Sequence, residues 1–207
     1  MRPEPRGGGS AAVLTRPAGV ATRLGGGVPG EVVARGFAHV RGALGAGERR
    51  VLLDEAAAAR GRFLALPDRV NGVDQNADQL TLRVGDPHHA SVNELAASIV
   101  DAVAGWPAEA APTGYRPTEA RYMRYTGGGA GLGAHVDGKF YRLLVCVFSL
   151  VGSARFRVVA DSSGPAADVL VEPGDLLLLR APGLGGAPDG RRRHAVGPPL
   201  DLSLIHI

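Results

Sequence analysis

Between Arg121 and Leu150 the chain reads RYMRYTGGGAGLGAHVDGKFYRLLVCVFSL, and this stretch limits the possible folds more than any other. Glu119 to Tyr125 alternates, with Arg121, Met123 and Tyr125 on one face and Tyr122 and Arg124 on the other, as a strand does. A glycine-rich turn follows. His135 and Asp137 then stand two residues apart, so a strand would project both side chains from one face. Tyr141 to Leu150 is apolar on both faces, which suits a strand that lines a barrel inside and is covered by helices outside. Ala154 to Ala160 and Val169 to Glu172 add strand candidates, and a tight Pro173-Gly174 turn leads into another, Asp175 to Arg180.

Upstream, GFAHVRGAL from Gly36 predicts a strand. AGERRVLLDEAAAARGRF predicts a helix packed on one side from the spacing of Val51, Leu52, Glu55 and Ala56. A second helix is expected from about Ser91 to Ala104, with Leu95, Ile99, Ala102 and Val103 as its apolar stripe and Ser91 as N-cap beside Glu94. Leu80 to Val84 is a short strand candidate in an otherwise polar segment. Short strands joined by turns, with helices only at the start, predict a mostly β fold with N-terminal helices: a double-stranded β-helix, or jelly roll. The 31 Gly and 15 Pro supply the turns such a fold needs.

His194 lies far downstream, past several strand candidates, in a position to return to His135 and Asp137. Two His and one carboxylate on one face of an octahedron form the facial triad of non-haem iron sites, which leaves the opposite positions open. The ordered set RYMRY, GLGAHVD, LLVCVFSLVGSARFRV, VEPGDLLLLR and RRRHAV resembles the 2-oxoglutarate- and Fe(II)-dependent dioxygenases, nearest to their AlkB-like branch, over roughly residues 36 to 200. The resemblance implies that His135, Asp137 and His194 bind Fe(II) and that 2-oxoglutarate chelates the metal through its keto acid end. It also implies that Tyr125 hydrogen-bonds this co-substrate and that O2 takes the remaining position. The expected reaction is hydroxylation of a substrate C–H bond, with succinate and CO2 as co-products. Asp137, rather than Gly or Ala, fills the place a halide would need and so argues against halogenation.

Met123 stands where the AlkB-like pattern has Asn, and Met has no amide to donate. Nor does the chain show the aromatic, basic lid that holds a flipped base. The expected substrate is therefore a small molecule, a peptide or a modified amino acid. Dealkylation of methylated nucleic-acid bases is the second expectation, and a metal-free jelly-roll binding module the third.

A sequence pI near 9.5 invites a nucleic-acid partner. Four arginines (Arg2, Arg6, Arg16, Arg23) against Glu4 nevertheless place the entire net charge of +3 within residues 1 to 30. The balanced remainder lacks the clustered cations of a duplex-binding surface. Residues 1 to 30, rich in Gly, Pro and Arg, read as a disordered leader to a domain spanning 31 to 201. The single cysteine, Cys146, excludes an intrachain disulfide and fits a cytoplasmic location. No run approaches the ~18 apolar residues of a membrane span. His88 and His89 read as an exposed loop, with a second metal site as the other reading, and Trp106 as a packing residue or a pocket rim. Arg191 to Arg193 read as a solvated loop, with phosphate contact as the alternative.

The resemblance also implies a closing strand with an Arg, about ten residues past His194, that pairs with the far carboxylate of 2-oxoglutarate. That count lands near Leu204, and no Arg or Lys follows Arg193. The hexapeptide from Leu202 to Ile207 is also the translation of CTG TCT CTT ATA CAC ATC, which begins a transposase recognition end used in preparing sequencing libraries. Residues 202 to 207 are accordingly expected to be non-native read-through, with the natural closing strand missing. Resequencing the locus from independently prepared DNA is expected to show another sequence after Asp201 with a strand carrying the missing Arg; different codons for these same six residues, or a genuine stop after Ile207, would refute this.

Overall fold

The apolar segments named above become strands that bury both faces, and the reason lies in how two sheets and a helical layer stack. The computed structural model describes residues 16–70, 72–125, 131–160, 166–186, 189–198 and 200–207, and for 200–206 the backbone alone. The helices are α1 (Ala18–Arg23), α2 (Val28–Arg35), α3 (Ala46–Ala58) and α4 (Ala90–Ala104). The first five strands are β1 (Phe37–Val40), β2 (Leu64–Ala65), β3 (Arg69–Val70), β4 (Val73–Asp74) and β5 (Ala77–Arg83). Next come β6 (Glu119–Tyr125), β7 (Leu132–His135), β8 (Leu144–Val158) and β9 (Ala167–Val171). The last are β10 (Leu176–Arg180), β11 (His194–Val196) and β12 (Leu200–His206).

The major sheet runs β1-β10-β8-β12-β6-β5-β2. A second layer is built on the distal half of β8, which pairs with β9 and β11, while β11 pairs in turn with β7. β8 therefore belongs to both layers: Leu144 to Phe148 pairs with β10, and Ala154 to Val158 pairs with β9. Gly152, at φ 73°, lies at the crossing. From β6 onward the chain passes back and forth between the two layers, except that the distal half of β8 and β9 form a hairpin within the second layer, and this is the topology of a jelly roll.

The major sheet separates two cores. Cys146, Phe148, Leu176 and Leu178 face the helices, together with Leu52 of α3 and Leu95 and Ile99 of α4. Val145, Val147, Leu177 and Leu179 face the second sheet, with Met123, Tyr125 and Phe156. A strand covered on both sides has no reason to alternate in polarity, which explains the unbroken apolar runs in β8 and β10. The turn into β10 is fixed by Asp175, whose carboxylate accepts from Gly42 N (2.9 Å) and Glu172 N (3.0 Å) and lies 2.7 Å from His39 Nε2. Gly174 has φ 99°, and a Cβ there would stand 2.4 Å from the Leu44 carbonyl oxygen, so only glycine fits.

Several expectations need correction. Tyr141 lies outside the strand, and β8 continues without a break to Val158, where two strands were expected. Ser91 lies inside α4 rather than at its cap; its backbone N–H donates instead to Glu55 Oε2 of α3 at 2.9 Å. Part of the supposed disordered leader is folded. Val20 and Leu24 are fully buried against the helical core, as is Val32 of α2. The Trp106 indole N–H donates to the Leu24 carbonyl at 2.7 Å, and Arg16 pairs with Glu94 and Asp101. Residues 1–15 of that leader lie outside the described residues, as does the glycine-rich turn at 126–130.

The backbone of β12, which includes the residues expected to be read-through, lies between β6 and β8 and pairs with both. Two strands one strand-width apart present unpaired N–H and C=O groups, and any extended segment lying between them satisfies both ladders whatever its side chains.

Leu24→Ala is expected to lower the unfolding free energy by about 2–5 kcal/mol, as a fully buried leucine should. Urea denaturation measures it; an unchanged midpoint would mean that α1 is not part of the core.

Candidate metal centre

β7 and β11 are short antiparallel partners, and their register sets His135 directly opposite His194. The chain enters β7 through Gly131, at φ 73°, where a Cβ would stand 2.3 Å from the Val196 carbonyl oxygen; a side chain there would push the two strands apart. Asp137 follows two residues after His135, beyond the end of the ladder. The structure thus brings together the three residues that the sequence singled out.

Each imidazole is oriented by its own backbone. His135 Nδ1 lies 2.9 Å from the Gly133 carbonyl oxygen, and His194 Nδ1 lies 3.0 Å from that of Arg192. A carbonyl only accepts, so Nδ1 carries the proton in both rings and each Nε2 presents a lone pair. Those two Nε2 atoms face Asp137 Oδ1 at 3.6 and 3.9 Å. These separations are too long for hydrogen bonds, but two ligands each about 2.1 Å from one ion sit roughly 3–4 Å apart. One ligand atom from each residue falls within 4.8 Å of the others, and among the described residues no other three His, Cys, Asp or Glu side chains form such a group. The donor set of two neutral imidazoles and a carboxylate can hold a divalent ion.

The surroundings act differently on the two rings. Phe156 stacks on His194 at 5.1 Å, and the two imidazole rings meet edge-on at 4.4 Å. Burial lowers the His194 pKa, against the opposing charge of Asp137, and so favours neutral imidazole. Burial also pulls His135 down, but the Asp137 carboxylate and the Gly133 carbonyl outweigh it and leave its pKa raised.

Two spaces adjoin the group. A narrow interior cavity of about 40 Å³ runs between the sheets and is walled by Val145, Val147, Phe156, Leu177 and Leu179. An open cleft of about 390 Å³ lies at the mouth, lined by His135, Asp137, Tyr125, Met123, Arg121 and Phe140. Tyr125 is 2% exposed, and its phenol oxygen has no hydrogen-bond partner among the described residues. Burial raises its pKa, so it is a neutral donor facing a space that a ligand acceptor can fill. The interior cavity has no Arg or Lys among its described lining residues, and none follows Arg193 in the chain.

The arginine triplet is not uniformly solvated: Arg192 is buried, Arg191 half-buried and Arg193 exposed, and all three side chains donate to backbone carbonyls. Arg191 donates to the Asp137 carbonyl, Arg193 to that of Ala134 at 3.2 Å, and buried Arg192 to those of Arg35 and Val159, both at 3.0 Å. These contacts were missed because a run of charge carries no sign of the carbonyls it will meet. His89, expected in an exposed loop, is buried, with Arg62 at 3.2 Å and Glu55 Oε1 at 3.7 Å. Trp106 packs in the helical core, and buried Cys146 has its thiol pushed up to about 12 by desolvation.

No family model matches the sequence, and no curated protein does. Solved structures do share the fold. A prolyl hydroxylase in complex with a hypoxia inducible factor oxygen degradation domain peptide fragment from Trichoplax adhaerens aligns at TM-score 0.64 and 16% identity, over 86% of this chain and 85% of that one. A non-heme alpha ketoglutarate dependent epimerase, SnoN from nogalamycin biosynthesis, aligns at 0.59 and 16% identity, over 87% and 81%. OsALKBH1 aligns at 0.58 and 16% identity, over 83% and 95%. The chain has the fold of these proteins.

Because the Tyr125 hydroxyl is buried without a partner among the described residues, Tyr125→Phe is expected to leave the metal-free protein as stable as wild type or to stabilise it by about 1 kcal/mol. Chemical denaturation tests this. A loss of similar size would reveal a protein partner for the hydroxyl.

Proposed function

We propose that this chain is an Fe(II)- and 2-oxoglutarate-dependent dioxygenase that hydroxylates a small molecule, a peptide or a modified amino acid. One observation carries the proposal. Two imidazoles, each anchored through Nδ1, turn their Nε2 lone pairs toward one carboxylate oxygen inside a jelly roll. The fold is shared with a prolyl hydroxylase and with an alpha ketoglutarate dependent epimerase, which supports the same class of chemistry here.

His135 Nε2, His194 Nε2 and Asp137 Oδ1 would hold the metal, and their combined charge of about −1 would partly offset that of a divalent ion. Fe(II), together with 2-oxoglutarate and O2, supplies the oxidising chemistry when bound. The protein's part is placement. Tyr125 offers a hydrogen bond to an acceptor on the co-substrate, and Phe156 and the apolar walls keep water from the buried side of His194. The mouth is lined by exposed Val136 and Phe140, which suit an apolar segment of substrate. Met123 lines the same cleft, where an amide would be needed to read a base, so the dealkylase alternative has less support. We also place the protein in the cytoplasm, on the support of its one free, buried cysteine. Among the described residues no helix is long and apolar enough to cross a membrane.

Wild-type protein is expected to retain one Fe(II) per chain and to convert 2-oxoglutarate to succinate in the presence of O2. His135→Ala and Asp137→Ala should abolish both. Tyr125→Phe should keep the iron but weaken 2-oxoglutarate binding by about 0.5–1.5 kcal/mol, the worth of one hydrogen bond. Anaerobic titration and metal analysis are the measurements. Unchanged iron content in both ligand variants would overturn the proposal, and a metal-free protein that forms no succinate would make the chain a binding module.

A further inference from the structure

Asp137 stands two residues past the last ladder pair of β7, where the sheet no longer sets the position of the backbone. Its carbonyl oxygen accepts from Arg191 Nη1. The guanidinium is itself held in place. Arg191 Nε and Nη2 form a two-pronged pair with Asp189 at 2.9 and 2.6 Å, and the Arg191 side chain is only 12% exposed. Arg191 also lies three residues before His194, on the segment that enters β11. One planar group thus ties the peptide of the carboxylate to the strand that carries the second imidazole.

We propose that Arg191 is a positioning residue for the metal centre: braced by Asp189, it fixes the Asp137 peptide so that Oδ1 meets both Nε2 atoms. The inference rests on the proposal that His135, Asp137 and His194 hold a metal. It assigns a function to the first member of a charge run whose neighbours have different duties. Arg193 reaches the β7 backbone before the carboxylate, and Arg192 joins α2 to the end of β8. Lysine cannot replace Arg191, because three geometrically separate bonds leave one rigid fork and an ammonium is a point charge on a flexible stem. A shift in Asp137 would spoil metal geometry without unfolding anything, since the ladders that build the jelly roll do not pass through it. Partners that orient metal ligands in this way typically contribute 10- to 100-fold in metal affinity.

The test uses Co(II) as the probe on the full chain, reading its dissociation constant, its visible absorption, and the melting temperature of the metal-free protein. Arg191→Ala is expected to weaken Co(II) binding by roughly 10- to 100-fold and to alter the absorption bands, with metal-free melting close to wild type. Arg191→Lys should regain only part of the affinity. Asp189→Asn, which leaves Arg191 present but loosens its brace, should give a smaller loss in the same direction. Wild-type affinity and spectrum in Arg191→Ala would overturn the proposal, as would complete rescue by lysine, which would make the effect one of charge alone. A loss that follows a fall in metal-free melting across all three variants would also overturn it, by making Arg191 a folding residue. Failure of the wild type to bind Co(II) would instead remove the premise, the metal-holding role of the three side chains.

Discussion

The pairing of His135 with His194 across β7 and β11 is the contact on which the site depends. Two residues opposite one another in an antiparallel ladder have Cα atoms about 4.5–5.5 Å apart, close enough for their side chains to meet over a shared point. A slip of one residue in either strand would send one imidazole to the opposite face. β11 is only three residues long, but it lies between β7 and β8, and pairing on both sides fixes its register. The two carbonyls that accept from Nδ1 belong to the residue two positions before each histidine, so the same extended backbone that positions each ring also chooses its tautomer. The carboxylate alone lies outside this ladder, and it is the ligand that a guanidinium reaches.

The rest of the fold holds the second sheet where it can form. β8 is the common element: its first half is the centre of the major sheet and its second half is the wall against which β11 lies. One face of the major sheet buries its apolar side chains against the helices and the other against the second sheet. This division lets a chain with few aromatics maintain two cores, with the group of His135, Asp137 and His194 at the edge of the inner one. The apolar walls around His194 do more than stabilise, because in a low-dielectric setting they favour neutral imidazole.

Much of this was legible in the residues. The alternation from Glu119 to Tyr125, the spacing of His135 and Asp137, the Pro-Gly-Asp turn and the later His194 carry local physics that shows in sequence, and the jelly roll follows from their order. What stayed hidden had other causes. Val20 and Leu24 are one helical turn apart, as are Val28 and Val32, but a background of Gly, Pro and Arg hid that spacing. Gly152 falls between two segments expected to be separate strands, yet in the fold it lies where one strand crosses between sheets. The partner of Ser91 N–H is a carboxylate on another helix, and the partners of Arg191 to Arg193 are carbonyls on other segments. Such contacts belong to the tertiary fold, and no local window contains them. The last strand is a different case, since its backbone pairing is independent of the residues that fill it.

Nitrogen-15 NMR of the histidine side chains tests the central claim most directly, because it reports tautomer and metal ligation at each ring. In the metal-free protein, His135 and His194 should both carry their proton on Nδ1. On addition of one equivalent of Zn(II), as a diamagnetic stand-in for Fe(II), the Nε2 resonances of His135 and His194 should shift together while their Nδ1 protons remain. Movement of neither ring, of only one, or of a different pair would contradict the account.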